Sequence, residues 1–226
     1  AGLFAVIGIL AALYRRQETG VGQMVDVAML DSVVAVLENA VARFVATGEV
    51  PAPLGNRHPA IFPFEPFDTA DGQVMVAAGN DDLWGRLCSA LALPSLASDP
   101  RFRTNPLRHD NYRAMREILS EAFIQRTTEE WRAILDAAGV PNGAINSIAD
   151  LVQDPQIAAR EMLQDVVHPV AGRTIIPGIP IKLSQTPGTI RRPAPLLGEQ
   201  TGQVLIEWLG LSGEELAGLR NSGAIG

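Results

Sequence analysis

The residues of this chain best suited to chemistry stand together on one aperiodic stretch: Gly55, Asn56, Arg57 and His58, followed by Pro59. A guanidinium and an imidazole on such a stretch can meet a carboxylate or donate to an oxygen on which negative charge is building. The structural alternative is an ordinary solvated turn. A second pair, Asn80-Asp81, follows an apolar run and is either a secondary polar site or the N-terminal cap of the next helix; capping, a common use of Asn and Asp, is the favoured reading. Asp26 and Asp31 are carboxylates with structural explanations, one in a predicted strand and one in a helix's first turn. Cys88 falls on the stripe Leu83, Trp84, Leu87, Leu91 and reads as a core thiol. His109 and His168 are isolated, and surface or structural roles are assigned to both. No Cys/His cluster has zinc-ligand spacing, so no metal is expected.

These residues must be positioned by the elements around them. Residues 3–16 read as a helix apolar nearly all round, the pattern of a buried element, and Thr19-Gly20-Val21-Gly22 ends it. Residues 23–27 alternate enough for a short strand. Asp31-Ser32 then opens a long amphipathic helix with Val33, Val34, Leu37, Val41, Phe44 and Val45 on one stripe. Residues 48–63, rich in Pro, Gly and Asn, carry no period and predict a long loop, a kind of segment that in compact proteins is usually functional or mobile. Residues 64–69 and 74–78 flank Ala70-Asp71-Gly72, a hairpin signal. Amphipathic helices follow over 81–91, 111–123 and 128–138, the last with the capping box Thr127-x-x-Glu130 and Gly139 at its end. Asp154-Pro155 starts a short helix, and 166–170, 174–176 and 181–183 are short strands interrupted by Pro169, Pro177 and Pro180. Residues 202–209 and the capping box Ser212-x-x-Glu215 supply two closing helices.

Composition bounds the partners. With 226 residues, 47% of them apolar and 19% charged, the chain can bury a sizeable core. Its net charge of −7 and lack of basic runs argue against nucleic acid and anionic lipid. One cysteine cannot form an internal disulfide, which points to a reducing, cytoplasmic setting. The apolar opening, residues 1–13, falls short of the roughly 20 residues of a spanning helix, so no membrane is expected.

Residues 15–29, Arg-Arg-Gln-Glu-Thr-Gly-Val-Gly-Gln-Met-Val-Asp-Val-Ala-Met, resemble the pattern R-x-x-T-G-x-G-Q-x-V-D-V-x-M that follows the nucleophile helix of class III (CaiB/BaiF-type) CoA-transferases. Gly55-Asn56-Arg57-His58-Pro59, Phe67-x-x-Ala70-Asp71-Gly72, Ala78-Gly79-Asn80-Asp81 and Pro195-Leu196-Leu197-Gly198-Glu199-Gln200-Thr201 look like further signatures of that family in the same order. The resemblance implies an α/β fold, the C-terminal portion of a two-domain enzyme that forms an interlocked homodimer. Residues 1–55 would be the remainder of the large Rossmann-like domain, 56–170 a small α+β domain with the active-site loop at its start, and 171–226 a C-terminal return segment and helices.

The reaction so implied is CoA transfer from an acyl-CoA thioester to a carboxylic acid acceptor through an aspartyl acyl/CoA intermediate. Coenzyme A is then substrate and product, and no permanently bound cofactor is expected. The family's nucleophilic aspartate is expected before Ala1, as are most CoA-binding residues, so no catalytic residue is assigned in this chain, which alone should be inactive. In formyl-CoA transferase a glycine-rich loop covers the intermediates where this sequence has residues 56–63; the poly-Gly run is absent here. A 2-methylacyl-CoA racemase is the nearest alternative, but racemases commonly show a Tyr-rich entry to the hairpin and a Glu soon after its second strand, where this chain has Phe64 and Asp81. Transfer is therefore favoured. A truncated, non-catalytic domain is the third reading.

Overall fold

The computed structural model describes residues 1–225, the side chain of Glu38 apart. The chain separates into two units, Ala1–Gly143 and Ala144–Gly226. The first opens with three helices, α1 (Gly2–Thr19), α2 (Met29–Val36) and α3 (Glu38–Thr47). Gly20 closes α1 in the left-handed conformation at φ 74, its N–H donating to the Arg16 carbonyl, as the Thr19-Gly20 signal predicts. Gly8 lets the chain that follows close against α1, because a β-carbon there would lie 2.8 Å from Val25 Cγ1.

Three expectations are corrected in this region. Residues 23–27 form no strand, since a strand exists through its ladder and no described residue pairs with them. The long amphipathic helix is two helices: at Leu37 (φ −89, ψ 17) the N–H bonds the Val34 carbonyl, three residues back, and the α-helical ladder is interrupted. The apolar helix α1 buries none of its residues. Leu3, Ile7 and Leu10 are 83%, 63% and 60% exposed, because no described element covers that surface.

The core of this unit begins at the hairpin β1 (Phe64–Asp68) and β2 (Gln73–Ala77), antiparallel with Phe64 opposite Ala77 and Asp68 opposite Gln73. Alternation turns Glu65 and Phe67 of β1 and Val74 and Val76 of β2 inward. Helices α4 (Asp81–Ala90), α5 (Ser95–Ser98), α6 (Asn105–Asp110), α7 (Tyr112–Phe123) and α8 (Thr128–Ala137) follow, and β3 (Asn142–Ala144) completes the sheet in the order β1-β2-β3. Trp84, Leu87 and Cys88 of α4, Met115, Leu119 and Phe123 of α7, and Trp131 and Leu135 of α8 close over the strands into one apolar cluster. The hairpin turn is tied to α8 by Asp71, whose Oδ1 accepts the Thr128 N–H at 2.8 Å; that bond holds its carboxyl below the usual carboxylate range.

In the second unit, α9 (Ile148–Gln153) and α10 (Pro155–Ala159) precede the antiparallel hairpin β4 (Leu163–His168) and β5 (Gly172–Pro177), and α11 (Thr201–Leu209) and α12 (Gly213–Asn221) end the chain. Both predicted capping boxes form, Thr127 with Glu130 and Ser212 with Glu215. A third, Ser147 with Asp150, starts α9, a helix that its short pattern did not announce. Residues 181–183 form no strand. No described helix is long and apolar enough to cross a membrane.

Candidate functional site

The stretch between α3 and β1 has no ladder of its own, so side chains hold it. Gly55 turns the chain at φ 66, a backbone region natural to glycine, and the exposed Asn56 follows. At His58 the backbone N–H donates to the Phe64 carbonyl at 2.8 Å, and the ring stacks on Phe64 at 5.3 Å between centroids. His58 Nδ1 accepts the N–H groups of both Ala60 and Ile61 at 3.0 Å. Two amides donating into Nδ1 require its lone pair, so the neutral ring carries its proton on Nε2, and Nε2–H is its one remaining donor.

Helix α6 fixes the next residues. Asn105 accepts the Phe62 N–H at 2.9 Å and donates to the Ala60 carbonyl at 2.8 Å. Arg108, with no exposed surface, donates Nε to the Phe62 carbonyl (2.7 Å), Nη1 to the Phe102 carbonyl (2.9 Å) and Nη2 to Asp81 Oδ1 (2.7 Å). Pro63 gives its carbonyl to the Ala78 N–H at 2.9 Å. The predicted loop is thus a clamped segment from His58 onward, with Arg57 at its threshold.

Arg57 is half-buried, its guanidinium carbon 4.3 Å from the Tyr112 ring centroid and 5.9 Å from that of Phe62. It makes no hydrogen bond or ion pair with a described residue. With its carbon over the ring face, the guanidinium keeps N–H groups that no described residue takes and that are available to an anion. The Tyr112 hydroxyl donates to Glu65 Oε2 at 2.8 Å, and Arg116 Nη1 lies 3.0 Å from that same oxygen in a charge contact too bent for a hydrogen bond. Glu65 is 3% exposed, and its other oxygen, Oε1, has no hydrogen-bond partner among the described residues. Burial pushes the Glu65 carboxyl above the usual carboxylate range, against the opposing Tyr112 hydrogen bond and the charges of Arg116 and Arg57. Burial, then the Glu65 hydrogen bond, raise the Tyr112 hydroxyl in turn.

Arg57, Glu65, Tyr112 and Arg116 therefore meet, and only the first stood out in the sequence. A signal for Glu65 was present: in Phe64-Glu65-Pro66-Phe67-Asp68 it is in phase with Phe67, so a strand that buries Phe67 also buries a carboxylate. Tyr112 and Arg116 had none, since one helical turn on a half-polar helix is an ordinary spacing.

Asn80 and Asp81 do not join this cluster. The Asn80 side chain caps α4, accepting the Leu83 N–H at 2.8 Å, and Asp81 is taken by Arg108. Asn80→Ala is expected to lower stability by about 1 kcal/mol, the usual worth of such a cap. A shifted denaturant midpoint at constant slope is the result expected. Cys88 is buried, and burial pushes its thiol up to about 12, which removes it as a thiolate nucleophile near neutrality. His109 pairs with the adjacent Asp110 at 3.2 Å, and His168 Nδ1 accepts the Val170 and Ala171 amides in the turn between β4 and β5. Asp26 and Asp31 line a shallow groove with Phe4 and Ser32. No group of three or more potential metal ligands occurs among the described residues.

Comparison with known proteins adds a second line. Residues 1–201 match CoA-transferase family III. The chain is similar to the acetyl-CoA:oxalate CoA-transferase of Acetobacter aceti, 39% identical over 200 residues, which are 88% of this chain and 50% of that protein. It is equally similar to the succinate–glutarate CoA-transferase of Agrobacterium fabrum, 39% identical over 208 residues, 91% of this chain and 52% of that one. Among solved structures, a CAIB/BAIF family protein from Brucella suis superposes with a TM-score of 0.77 at 36% identity, covering 91% of this chain and 53% of its own.

Proposed function

Because the chain belongs to CoA-transferase family III and spans about half the length of the curated relatives it matches, we propose that it is the C-terminal portion of an enzyme moving CoA from an acyl-CoA to a dicarboxylic acid. The oxalate, succinate and glutarate in the names of the similar proteins support that acceptor class. Their being transferases favours transfer over racemisation. Arg57 carries the assignment to this chain: a guanidinium over an aromatic ring face, with no hydrogen bond or ion pair to a described residue, beside a segment clamped by Asn105, Arg108 and His58.

In this reading a carboxylate from before Ala1 attacks the thioester carbonyl, the C–S bond breaks, and a mixed anhydride forms with release of the CoA thiolate. The thiolate then attacks the enzyme's acyl carbon, releasing the donor acid and leaving an aspartyl-CoA thioester. The acceptor carboxylate then attacks that thioester carbonyl and expels the CoA thiolate, and the thiolate attacks the acceptor's acyl carbon in the new anhydride, forming the product thioester and freeing the enzyme carboxylate. Helix α1 suits an anion at its start, since it has no side-chain cap and no acidic residue in its first turn. Arg57 holds the acceptor's carboxylate, and the Nε2–H of His58 donates to oxygen on which charge develops. The large and small domains, the C-terminal return segment and the interlocked homodimer of the family resemblance complete the proposal, with a cytoplasmic setting.

The test joins this chain to the upstream half that its relatives carry and assays transfer from succinyl-CoA to oxalate or glutarate. The joined protein is expected to turn over, and the chain alone to be inactive. Turnover by the chain alone would contradict the upstream nucleophile. A joined protein that racemises 2-methylacyl-CoA without transferring CoA would replace the reading with its alternative.

A further inference from the structure

We propose that Glu65 and Tyr112 form a positioning device for Arg57, so that a buried carboxylate, acting through an aromatic ring, sets how well the enzyme engages its acceptor acid. The proposal rests on Arg57 being the group that meets the acceptor.

A carboxylate with 4% of its side chain exposed and one oxygen without a partner among the described residues is a poor choice for stability, because desolvating the charge is not fully offset by its partners. An apolar residue in phase with Phe67 would extend the core. What Glu65 does provide is a fixed anchor for the Tyr112 hydroxyl, 2.8 Å away, on the ring whose face supports Arg57 at 4.3 Å. A phenol donating to a carboxylate has a more electron-rich ring, which strengthens its attraction for a cation. Arg116, 3.0 Å from the same carboxylate oxygen, holds Glu65 from the side of α7. A long guanidinium side chain otherwise samples many rotamers, and each must be given up when an acceptor binds. The stack removes that cost beforehand. Neither Glu65 nor Tyr112 touches substrate; both act through Arg57.

The bland alternative is an ion pair that ties α7 to β1 and nothing more, and kinetics separates the two. In the joined enzyme, Tyr112→Phe keeps the ring under Arg57 and removes only the link to Glu65, while Glu65→Gln keeps the shape and removes the charge. Each is expected to lower kcat/KM for the acceptor about tenfold and to leave kcat/KM for the acyl-CoA donor at the parental value. In Arg57→Ala, adding Tyr112→Phe should cost nothing further, because no cation remains to be positioned. Acceptor kinetics unchanged in both single variants, or a loss that multiplies in the double variant, would overturn the proposal. So would donor and acceptor constants falling together, the mark of a structural pair. An Arg57→Ala variant that is itself silent would sink the reading of Arg57, and this inference with it. If Arg57→Ala is impaired while Tyr112→Phe and Glu65→Gln are silent, the positioning device alone falls.

Discussion

Arg57→Ala in the joined enzyme is expected to lower kcat/KM for the acceptor acid on the order of 10²-fold, the usual consequence of removing one preorganised donor from a site where charge develops. The thermal midpoint should stay at its parental value. Arg57 makes no hydrogen bond or ion pair with a described residue, so its removal takes away a stacked side chain on Tyr112 and leaves no buried polar group without a partner. Its neighbour behaves differently. His58 Nδ1 holds the amides of Ala60 and Ile61, so His58→Ala should lose both rate and stability. His58→Asn keeps an acceptor oxygen for those amides and deletes the Nε2–H. Parental stability with reduced turnover in that variant identifies the Nε2–H as a donor to the reaction; parental turnover identifies His58 as a loop anchor only. Rates within a few-fold of the parent in both Arg57→Ala and His58→Asn would remove this stretch from the site.

Arg108→Met is expected to destabilise the first unit by about 3 kcal/mol. The variant fills much of the same volume, but the carbonyls of Phe62 and Phe102 lose the donors that met them at 2.7 and 2.9 Å. Each unsatisfied buried carbonyl costs about 1–3 kcal/mol. The Asp81 side chain adds little, because at 55% exposure water replaces the guanidinium. Denaturant unfolding gives the number directly, and a loss under about 1 kcal/mol would mean that the two carbonyls find other partners. Since the Phe62 carbonyl belongs to the clamped segment beside Arg57, acceptor kinetics should worsen as well, in molecules that remain folded.

Much of the local structure was legible in the residues themselves. The hairpin around Ala70-Asp71-Gly72, the capping boxes at Thr127 and Ser212, the helical stripe that carries Cys88 and the capping role of Asn80 all depend on neighbours within a few positions. The motifs that resemble class III CoA-transferases were equally local, and residues 1–201 match that family. Contacts over longer separations decided the rest. Periodicity says that α1 is apolar all round but not what covers it, and within this chain nothing described does. Alternation over 23–27 suggests a strand, yet a strand is made by a partner. Composition made 48–63 a loop; Asn105 and Arg108, more than forty positions on, turned its second half into a clamped segment. Arg57 was visible as a cation on a loop, whereas Glu65, Tyr112 and Arg116 became its surroundings only when α7 packed on β1 and brought residues forty-seven positions apart to hydrogen-bond distance. A sequence states what each side chain can donate, accept or bury. Which groups meet is decided by packing, because the free energy that brings them together belongs to the whole core rather than to any one of them.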